Sequence, residues 1–253
     1  MKKVLYMLLV LALTLSFSGI ASAAEKSVNA NIESLAAYSS SDVEKMLNNS
    51  GGMHITAADI ARMETANEKA LTYLEQKMSL RSSGGKTLSV TLYQQPNRTT
   101  CGPTCMQMIL KYITGTKYTV VGDLDKVGTS PTTDALAAML NRKIGSNVYT
   151  YTYVSNINTF LGYVYSSIDR SRPLIFQIKP TTALDNYANY TGTMGGHYIV
   201  GRGYYWGQSG STAVSTISYS DPHYSTPYGK YTDDATDVFA VIQNNTGYIV
   251  NKI

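Results

Sequence analysis

Apolar residues follow three different patterns along this chain of 253 residues. They are nearly continuous from Val4 to Phe17, and they then recur at helical spacing as far as residue 83. From Lys86 onward, alternating runs typical of strands are interspersed with helical repeats. The patterns therefore predict three segments, which cover residues 1–23, 24–85 and 86–253.

The first segment has the form of a signal peptide. Lys2 and Lys3 give it a basic start, the apolar run follows, and Ala21-Ser22-Ala23 is a small-residue cleavage site. We expect residues 1–23 to be removed on export. The mature protein is then secreted and extracellular, with no stable membrane anchor.

The second segment is predicted to be helical. Ser41-Asp42-Val43-Glu44 has the form of a capping box that starts one helix, and Thr56-Ala57-Ala58-Asp59 starts a longer one. The run from Ser82 to Gly85 breaks the second helix and has the composition of a linker. Residues 24–85 are therefore either a propeptide or a permanent helical appendage, and the pattern favours neither.

The third segment predicts an α+β domain, because its first helices precede an antiparallel sheet. Leu88, Val90 and Leu92 alternate with polar residues, which predicts a strand over 88–92. Two later strands, 198–206 and 212–220, are joined by a short turn and predict a hairpin. The other predicted elements are helices at 102–113, 130–144, 156–168 and 233–243, and strands at 147–154, 174–178 and 248–250.

Cys101 lies where the 102–113 helix is predicted to begin. Free backbone N–H groups and the positive end of the helix dipole favour a thiolate at this position. Pro103 suits the first helical turn, where its missing N–H is not needed. Cys105 lies one turn further on, on the apolar side, where a thiol usually packs as a small hydrophobic group. The pattern favours Cys101 as a nucleophile and leaves Cys105 as the alternative.

His197 is the histidine best placed to be a general base. It follows two glycines, which leave room beside its ring, and it opens a strongly apolar strand. His54 belongs to the helical second segment. His223 follows Pro222 in a predicted turn, where a surface position is the simpler interpretation.

A catalytic histidine needs an acceptor that orients its ring. Asp221 follows the second strand of the predicted hairpin, and His197 precedes the first. The open ends of a hairpin lie side by side, so Asp221 can reach His197. The weaker alternatives, which nothing brings near the histidine, are Asp123, Asp134 and Asp185.

Two adjacent side-chain amides precede the cysteine. When a thiolate attacks a carbonyl, an amide donor can stabilise the resulting oxyanion together with the backbone N–H of Cys101. Gln94 and Gln95 are both candidates on the residues alone.

Charge and cysteine content exclude other classes of function. Removal of Lys2 and Lys3 lowers the formal charge from +4 to +2, and the basic residues are scattered, which does not favour nucleic acid. The two cysteines lie four residues apart on one predicted helix, with side chains poorly directed for a disulfide. Two cysteines and scattered histidines do not supply a zinc site, so we expect no metal and no organic cofactor.

Three sequence blocks occur in an order that carries a family resemblance. They are Gln95 with Cys101-Gly102-Pro103-Thr104 after five intervening residues, then Gly195-Gly196-His197-Tyr198, then Ser220-Asp221-Pro222. Together they resemble the bacteriocin-processing-like cysteine peptidases of the papain-like superfamily, from Leu88 to about Ile253. Thr100 and Thr104 depart from the aromatic residue and the alanine common in that family, but neither change removes a catalytic group.

The resemblance implies a papain-like fold, in which the catalytic cysteine opens a helix packed on an antiparallel sheet that carries the histidine and the aspartate. It implies Cys101 as the nucleophile and Gln95 as the oxyanion donor, with His197 and Asp221 completing a triad. The expected function is a secreted cysteine peptidase that acts on a peptide or protein substrate. The same triad would serve a cell-wall peptide amidase or transferase. A non-catalytic peptide-binding module is the third alternative, although no triad residue is lost. The sequence does not indicate the oligomeric state.

Overall fold

A computed structural model of the chain describes residues 36–79, 83–128, 130–192, 195–209 and 212–251. The predicted signal peptide lies outside the described residues, and so does the start of the predicted helical segment, residues 24–35.

The described residues form six α-helices, numbered here in chain order. They are α1 (Ser40–Asn48), α2 (Ala57–Ser79), α3 (Cys101–Thr114), α4 (Thr133–Ile144), α5 (Ile157–Asp169) and α6 (Ala235–Gln243). Shorter helical turns occupy Val120–Leu124, Asp125–Val127 and Asp185–Tyr187. None of the helices in this part of the chain has both the length and the apolar character needed to cross a membrane.

Seven strands of the described residues form a single sheet in which every pairing is antiparallel. They are β1 (Gly84–Thr87), β2 (Thr150–Tyr153), β3 (Leu174–Ile178), β4 (His197–Ser209), β5 (Thr212–Asp221), β6 (Gly229–Asp234) and β7 (Tyr248–Asn251). The order across the sheet is β2-β7-β3-β4-β5-β6, and β1 pairs with the second half of β4. The predicted α+β class with an antiparallel sheet is confirmed, and the arrangement is consistent with a papain-like fold.

Helix α3 begins at Cys101 and is buried from Gly102 through Leu110. It packs against β4 and α4. The helix ends where Gly115 adopts a left-handed conformation with φ of 74°, a conformation that glycine enters without steric cost. The cysteine therefore lies at the N-terminus of a helix that is anchored in the core.

The start of α3 is pressed against the start of β4. A Cβ atom on Gly102 would lie 2.9 Å from Pro131 Cγ and 3.3 Å from Tyr198 Cδ2. The Tyr198 hydroxyl donates to the backbone carbonyl of Pro131 at 2.7 Å, which holds the tyrosine ring in this position. A glycine at position 102 permits this close approach, and the approach brings Cys101 toward His197.

The predicted hairpin is confirmed as β4 and β5. Their pairing runs from Val200 opposite Ser220 to Ser209 opposite Thr212, with a bulge between Gly201 and Gly203. Residue 197 is the first of β4 and residue 221 is the last of β5. Both therefore lie at the open end of the hairpin.

The strand predicted over 88–92 is wrong in its position, because the observed strand is β1. Strand β1 pairs with β4 as far as Thr87 opposite Gly203, and the backbone N–H of Leu88 then donates one hydrogen bond to the carbonyl of Arg202. Beyond this point β3 occupies the same edge of β4, with Leu174 opposite Gly201. The chain must therefore leave the sheet before it reaches the residues whose alternation suggested a strand.

The helix predicted to start at residue 233 begins two residues later, at the first residue of α6. Residues 229–234 instead form β6, which pairs with β5 at the end of the sheet. Lys230, Asp233 and Asp234 make this strand polar, and charged side chains are common on edge strands because they discourage further pairing. This polarity removes the apolar alternation by which a strand is recognised in a sequence.

The N-terminal helices pack on the outside of the sheet and on α5. Helix α1 is capped by Ser39, which forms a capping box with Asp42, so the box starts two residues before the one predicted at Ser41. The Tyr38 hydroxyl donates to the carbonyl of Tyr153 on β2 at 2.6 Å. A separate apolar cluster joins α1 and α2 to β2 and β7, and it comprises Tyr38, Met46, Met53, Ile55, Met63, Tyr153 and Tyr248.

Candidate active site

The fold brings three of the predicted site residues into direct contact. His197 Nε2 lies 2.8 Å from Asp221 Oδ1, at the open end of the β4–β5 hairpin. The Cys101 side chain, at the first residue of α3, lies beside the His197 side chain, and each of the two groups shifts the pKa of the other. Because Nε2 faces the aspartate, Nδ1 is the ring nitrogen left for the sulfur. A continuous chain of contacts therefore runs from a carboxylate through an imidazole to a thiol.

The surroundings of Cys101 favour its thiolate. Burial acts to raise the pKa of the thiol, but the hydrogen bond and the charge of His197 and the backbone N–H groups of Tyr198 and Gly102 outweigh it. The net effect lowers the pKa of Cys101 below its ordinary value. Cys101 as a residue remains partly exposed, whereas Cys105 is buried.

The surroundings of His197 favour its protonated form. Burial acts to lower the pKa of this histidine, while the charge and hydrogen bond of Asp221 and the contact with Cys101 raise it. The raising effects dominate and bring the pKa of His197 to about 10. The pKa of Cys101 shifts in the opposite direction, so the two shifts together favour a thiolate paired with an imidazolium.

Asp221 is fully buried and accepts four hydrogen bonds. Oδ1 accepts from His197 and from the backbone N–H of His223 at 2.8 Å, and Oδ2 accepts from the Tyr187 hydroxyl and from Asn186 Nδ2 at 2.9 Å. A buried carboxylate is stable as an anion when its oxygen lone pairs are used in this way. The four donors hold the carboxylate in one orientation and present Oδ1 to the histidine.

The sequence analysis did not single out Asn186 and Tyr187, which lie between the predicted strands 174–178 and 198–206. A short helical turn, Asp185–Tyr187, directs both side chains toward Asp221. The network continues behind them, since the Tyr219 hydroxyl lies 2.8 Å from Asn186 Oδ1 and 2.5 Å from Asp233 Oδ2. No local pattern marks such residues, because their role depends on where a loop meets the end of a distant hairpin.

Gln95 is buried beside the same hairpin end. Its backbone N–H donates to the carbonyl of Pro222 at 2.7 Å, and its Nε2 donates to the carbonyl of Asn97 at 2.7 Å. An amide nitrogen carries two hydrogens, so one remains available to a second acceptor. Gln95 also lines the cleft described below, whereas the Gln94 side chain is exposed.

Cys105 has a different environment from Cys101, although both thiols are free. It is fully buried in the core, and burial raises its pKa well above the ordinary value. A neutral thiol in this position packs as a small apolar group.

A cleft of about 460 Å³ opens beside His197. Its walls include two tyrosines of the loop before β4 and two aromatic residues after β5, namely Tyr187, Tyr190, His223 and Tyr224. His223 was predicted as a surface residue, but it is largely buried, and its ring centre lies 5.5 Å from that of His197. The position of His223 two residues after Asp221 was the feature of the sequence that could have placed it near His197.

No hydrogen bond of the described residues joins the alternative acids to His197. Asp123 accepts hydrogen bonds from Thr119, and Asp134 accepts one from Thr132. Asp185 and His54 have exposed side chains. Within the described ranges, no group of three or more histidine, cysteine, aspartate or glutamate side chains is arranged to hold a metal ion.

Comparison with known proteins places the chain in a family. The model of the Peptidase_C39 like family matches residues 87–248, which is most of the chain. The chain belongs to this family. The family match spans all four residues predicted for the site and begins within β1. No curated protein matches the sequence.

Two solved structures are similar to this Peptidase_C39 like protein at low sequence identity. The peptidase domain of Streptococcus ComA, a bifunctional ABC transporter involved in a quorum-sensing pathway, is 18% identical with a TM-score of 0.38, covering 64% of this chain and 96% of that one. UfSP from C. elegans is 11% identical with a TM-score of 0.33, covering 67% of this chain and 34% of that one.

The charge state of His197 is directly measurable by NMR of protein labelled with ¹⁵N-histidine. We expect the ring to stay protonated through neutral pH and to titrate at about 10. In Asp221→Asn the titration midpoint should fall, because the charge that raises it is removed. His223 serves as an internal reference, since burial and then the charge of His197 lower its pKa. A wild-type His197 midpoint near the ordinary histidine value of 6.5 would contradict the assignment of the ion pair.

Proposed function

We propose that this protein is a cysteine peptidase that hydrolyses peptide bonds in a peptide or protein substrate. The observation that carries the proposal is the arrangement of Asp221, His197 and a partly exposed Cys101, together with a cleft that His197 and Gln95 line. Membership of the Peptidase_C39 like family supports the same reaction.

In the proposed mechanism the Cys101 thiolate attacks the substrate carbonyl carbon and forms a tetrahedral intermediate. Its oxyanion accepts hydrogen bonds from the Cys101 backbone N–H, one of the unsatisfied donors of a helix first turn, and from Gln95 Nε2. The His197 imidazolium gives its proton to the leaving amine as the carbon–nitrogen bond breaks. An acyl thioester remains on Cys101.

Deacylation reverses the proton transfer. Neutral His197 takes a proton from water while the water oxygen attacks the thioester carbonyl. The carbon–sulfur bond then breaks, which releases the acid product and restores the thiolate and the imidazolium. Asp221 stays ionised throughout and keeps the ring in one orientation and tautomer.

We also propose that the mature protein is exported and keeps residues 24–85. The leader-like residues 1–23 support export. The contacts of the described helices support retention, because Lys77 Nζ lies 2.5 Å from Asp169 Oδ2 and Tyr73 donates to the same oxygen at 2.6 Å. The lining of the cleft comes from residues between 95 and 224, so α1 and α2 do not contribute to it.

Intact-mass measurement of the secreted protein tests both parts of this proposal. The expected chain starts at Ala24, after the small-residue site, and retains the helices that cover Tyr153 and Tyr248. Loss of those helices would expose the apolar cluster on β2 and β7 to water, which favours aggregation. A mature start between residues 82 and 90 would instead identify a removed propeptide, and a retained leader would contradict export by this route.

The peptidase reaction is tested with an unfolded protein substrate and three variants. Cys101→Ala should lower kcat/KM by at least about 10³-fold, because no other group supplies the nucleophile. Gln95→Ala should cost about 10²–10³-fold through loss of one oxyanion donor. Cys105→Ser is the matched thiol control, and it should lower stability by about 1–3 kcal/mol while sparing turnover.

Equal activity of wild type and Cys101→Ala would contradict the mechanism. Loss of activity in folded Cys105→Ser but not in Cys101→Ala would reverse the assignment of the two thiols. Digestion of purified peptidoglycan with no action on protein would show that the same triad serves a cell-wall amidase.

A further inference from the structure

One charged side chain on the wall of the cleft lies outside the triad. Arg98 lines the cleft, and the lining residues of the described chain include no aspartate or glutamate. The two residues between Gly192 and Gly195, Thr193 and Met194, are uncharged. In the proposed charge state Cys101, His197 and Asp221 sum to −1, but of the three only His197 lines the cleft. The accessible wall is therefore positive.

Stacking, rather than an ion pair, holds Arg98 in place. Its guanidinium carbon lies 5.4 Å from the centre of the Tyr224 ring, a geometry that stabilises a cation over an aromatic face. No carboxylate of the described residues lies within ion-pair distance of Arg98. Its hydrogen-bond donors are thus oriented but not neutralised.

The same stack presents a second donor. Tyr224 stacks on His223 with ring centres 4.5 Å apart and planes inclined by 27°. The backbone N–H of Ser225 donates to His223 Nδ1 at 3.1 Å, so in the neutral ring the proton is on Nε2. The described residues offer Nε2 no acceptor, and His223 lines the cleft. Arg98, Tyr224 and His223 therefore form one wall, and its guanidinium and imidazole N–H groups are hydrogen-bond donors.

We propose that this wall binds an acidic side chain of the substrate, so that the protein prefers peptides with Asp or Glu close to the cleaved bond. A planar carboxylate matches the fork of donors on a guanidinium, and a single cation balances its single charge. The inference rests on the proposed peptidase function and names the substrate class of the same site. Arg98 and His223 Nε2 are the groups that contact the carboxylate.

The preference should be moderate and sensitive to salt. Arg98 is exposed, and exposed ion pairs are weak, so we expect about a two- to fivefold advantage in kcat/KM for Glu over Gln. The advantage should appear mainly in KM and should shrink as ionic strength rises, because salt screens exposed charges.

The test compares cleavage of a mixed peptide library by wild type, Arg98→Glu and Lys45→Glu, with cleavage sites identified by mass spectrometry. Wild type should show Asp and Glu enriched at one position near the cleaved bond. Arg98→Glu should replace them with Lys and Arg at that position. Lys45→Glu makes the same charge change on exposed α1, remote from the cleft lining, and should keep the wild-type preference. Equal cleavage of acidic and neutral sites by wild type, or an unchanged preference in Arg98→Glu, would overturn the inference.

A binding measurement separates this inference from the proposed reaction. Fluorescence anisotropy with the Cys101→Ala variant should give a lower Kd for a Glu peptide than for its Gln and Lys counterparts. If wild type cleaves nothing but this order of affinity holds, the peptidase proposal fails and the acidic recognition stands. If wild type cleaves peptides but Cys101→Ala binds all three equally, the recognition fails and the peptidase proposal stands.

Discussion

The buried carboxylate of Asp221 is the interaction on which the arrangement of this site depends. Removing an ion from water costs several kcal/mol even after the protein relaxes. Four hydrogen bonds offset that cost here, since each bond to a charged group contributes about 1.5–3 kcal/mol. The donors come from a loop, from the hairpin and from the turn after it. Satisfying one carboxylate therefore fixes three segments of chain relative to one another.

The position of the thiol depends on packing rather than on polar contacts. Gly102 lets the start of α3 approach Tyr198 and Pro131 closely. Cys101 precedes this glycine and His197 precedes this tyrosine, so the same approach brings the two side chains together. The two free cysteines, four residues apart, then differ in character. Cys101 meets backbone donors and an imidazolium, while Cys105 faces the apolar core. One helical turn separates a reactive environment from an inert one.

Much of the site could be predicted from the sequence, because its residues carry local signals. A cysteine before Gly-Pro marks a helix start, and a hairpin places its two open ends together whatever the rest of the fold does. Asn186 and Tyr187 carry no such signal, because they act through a loop that meets the hairpin only in three dimensions. The strand predicted at 88–92 was misplaced for a similar reason, because β3, which is distant in sequence, pairs with the edge of β4 where these residues would otherwise pair. His223 was read as a surface residue because its burial depends on neighbours distant in sequence.

The central claim is that Cys101 is a resting thiolate paired with the imidazolium of His197. The most direct test is the pH dependence of alkylation by iodoacetamide, with mass spectrometry resolving Cys101 from Cys105. The account predicts that Cys101 reacts far faster than Cys105 and that the midpoint of its rate–pH curve lies below the ordinary thiol value of 9.0. A Cys101 rate that rises through the ordinary thiol value of 9.0, or a preference for Cys105, would contradict it.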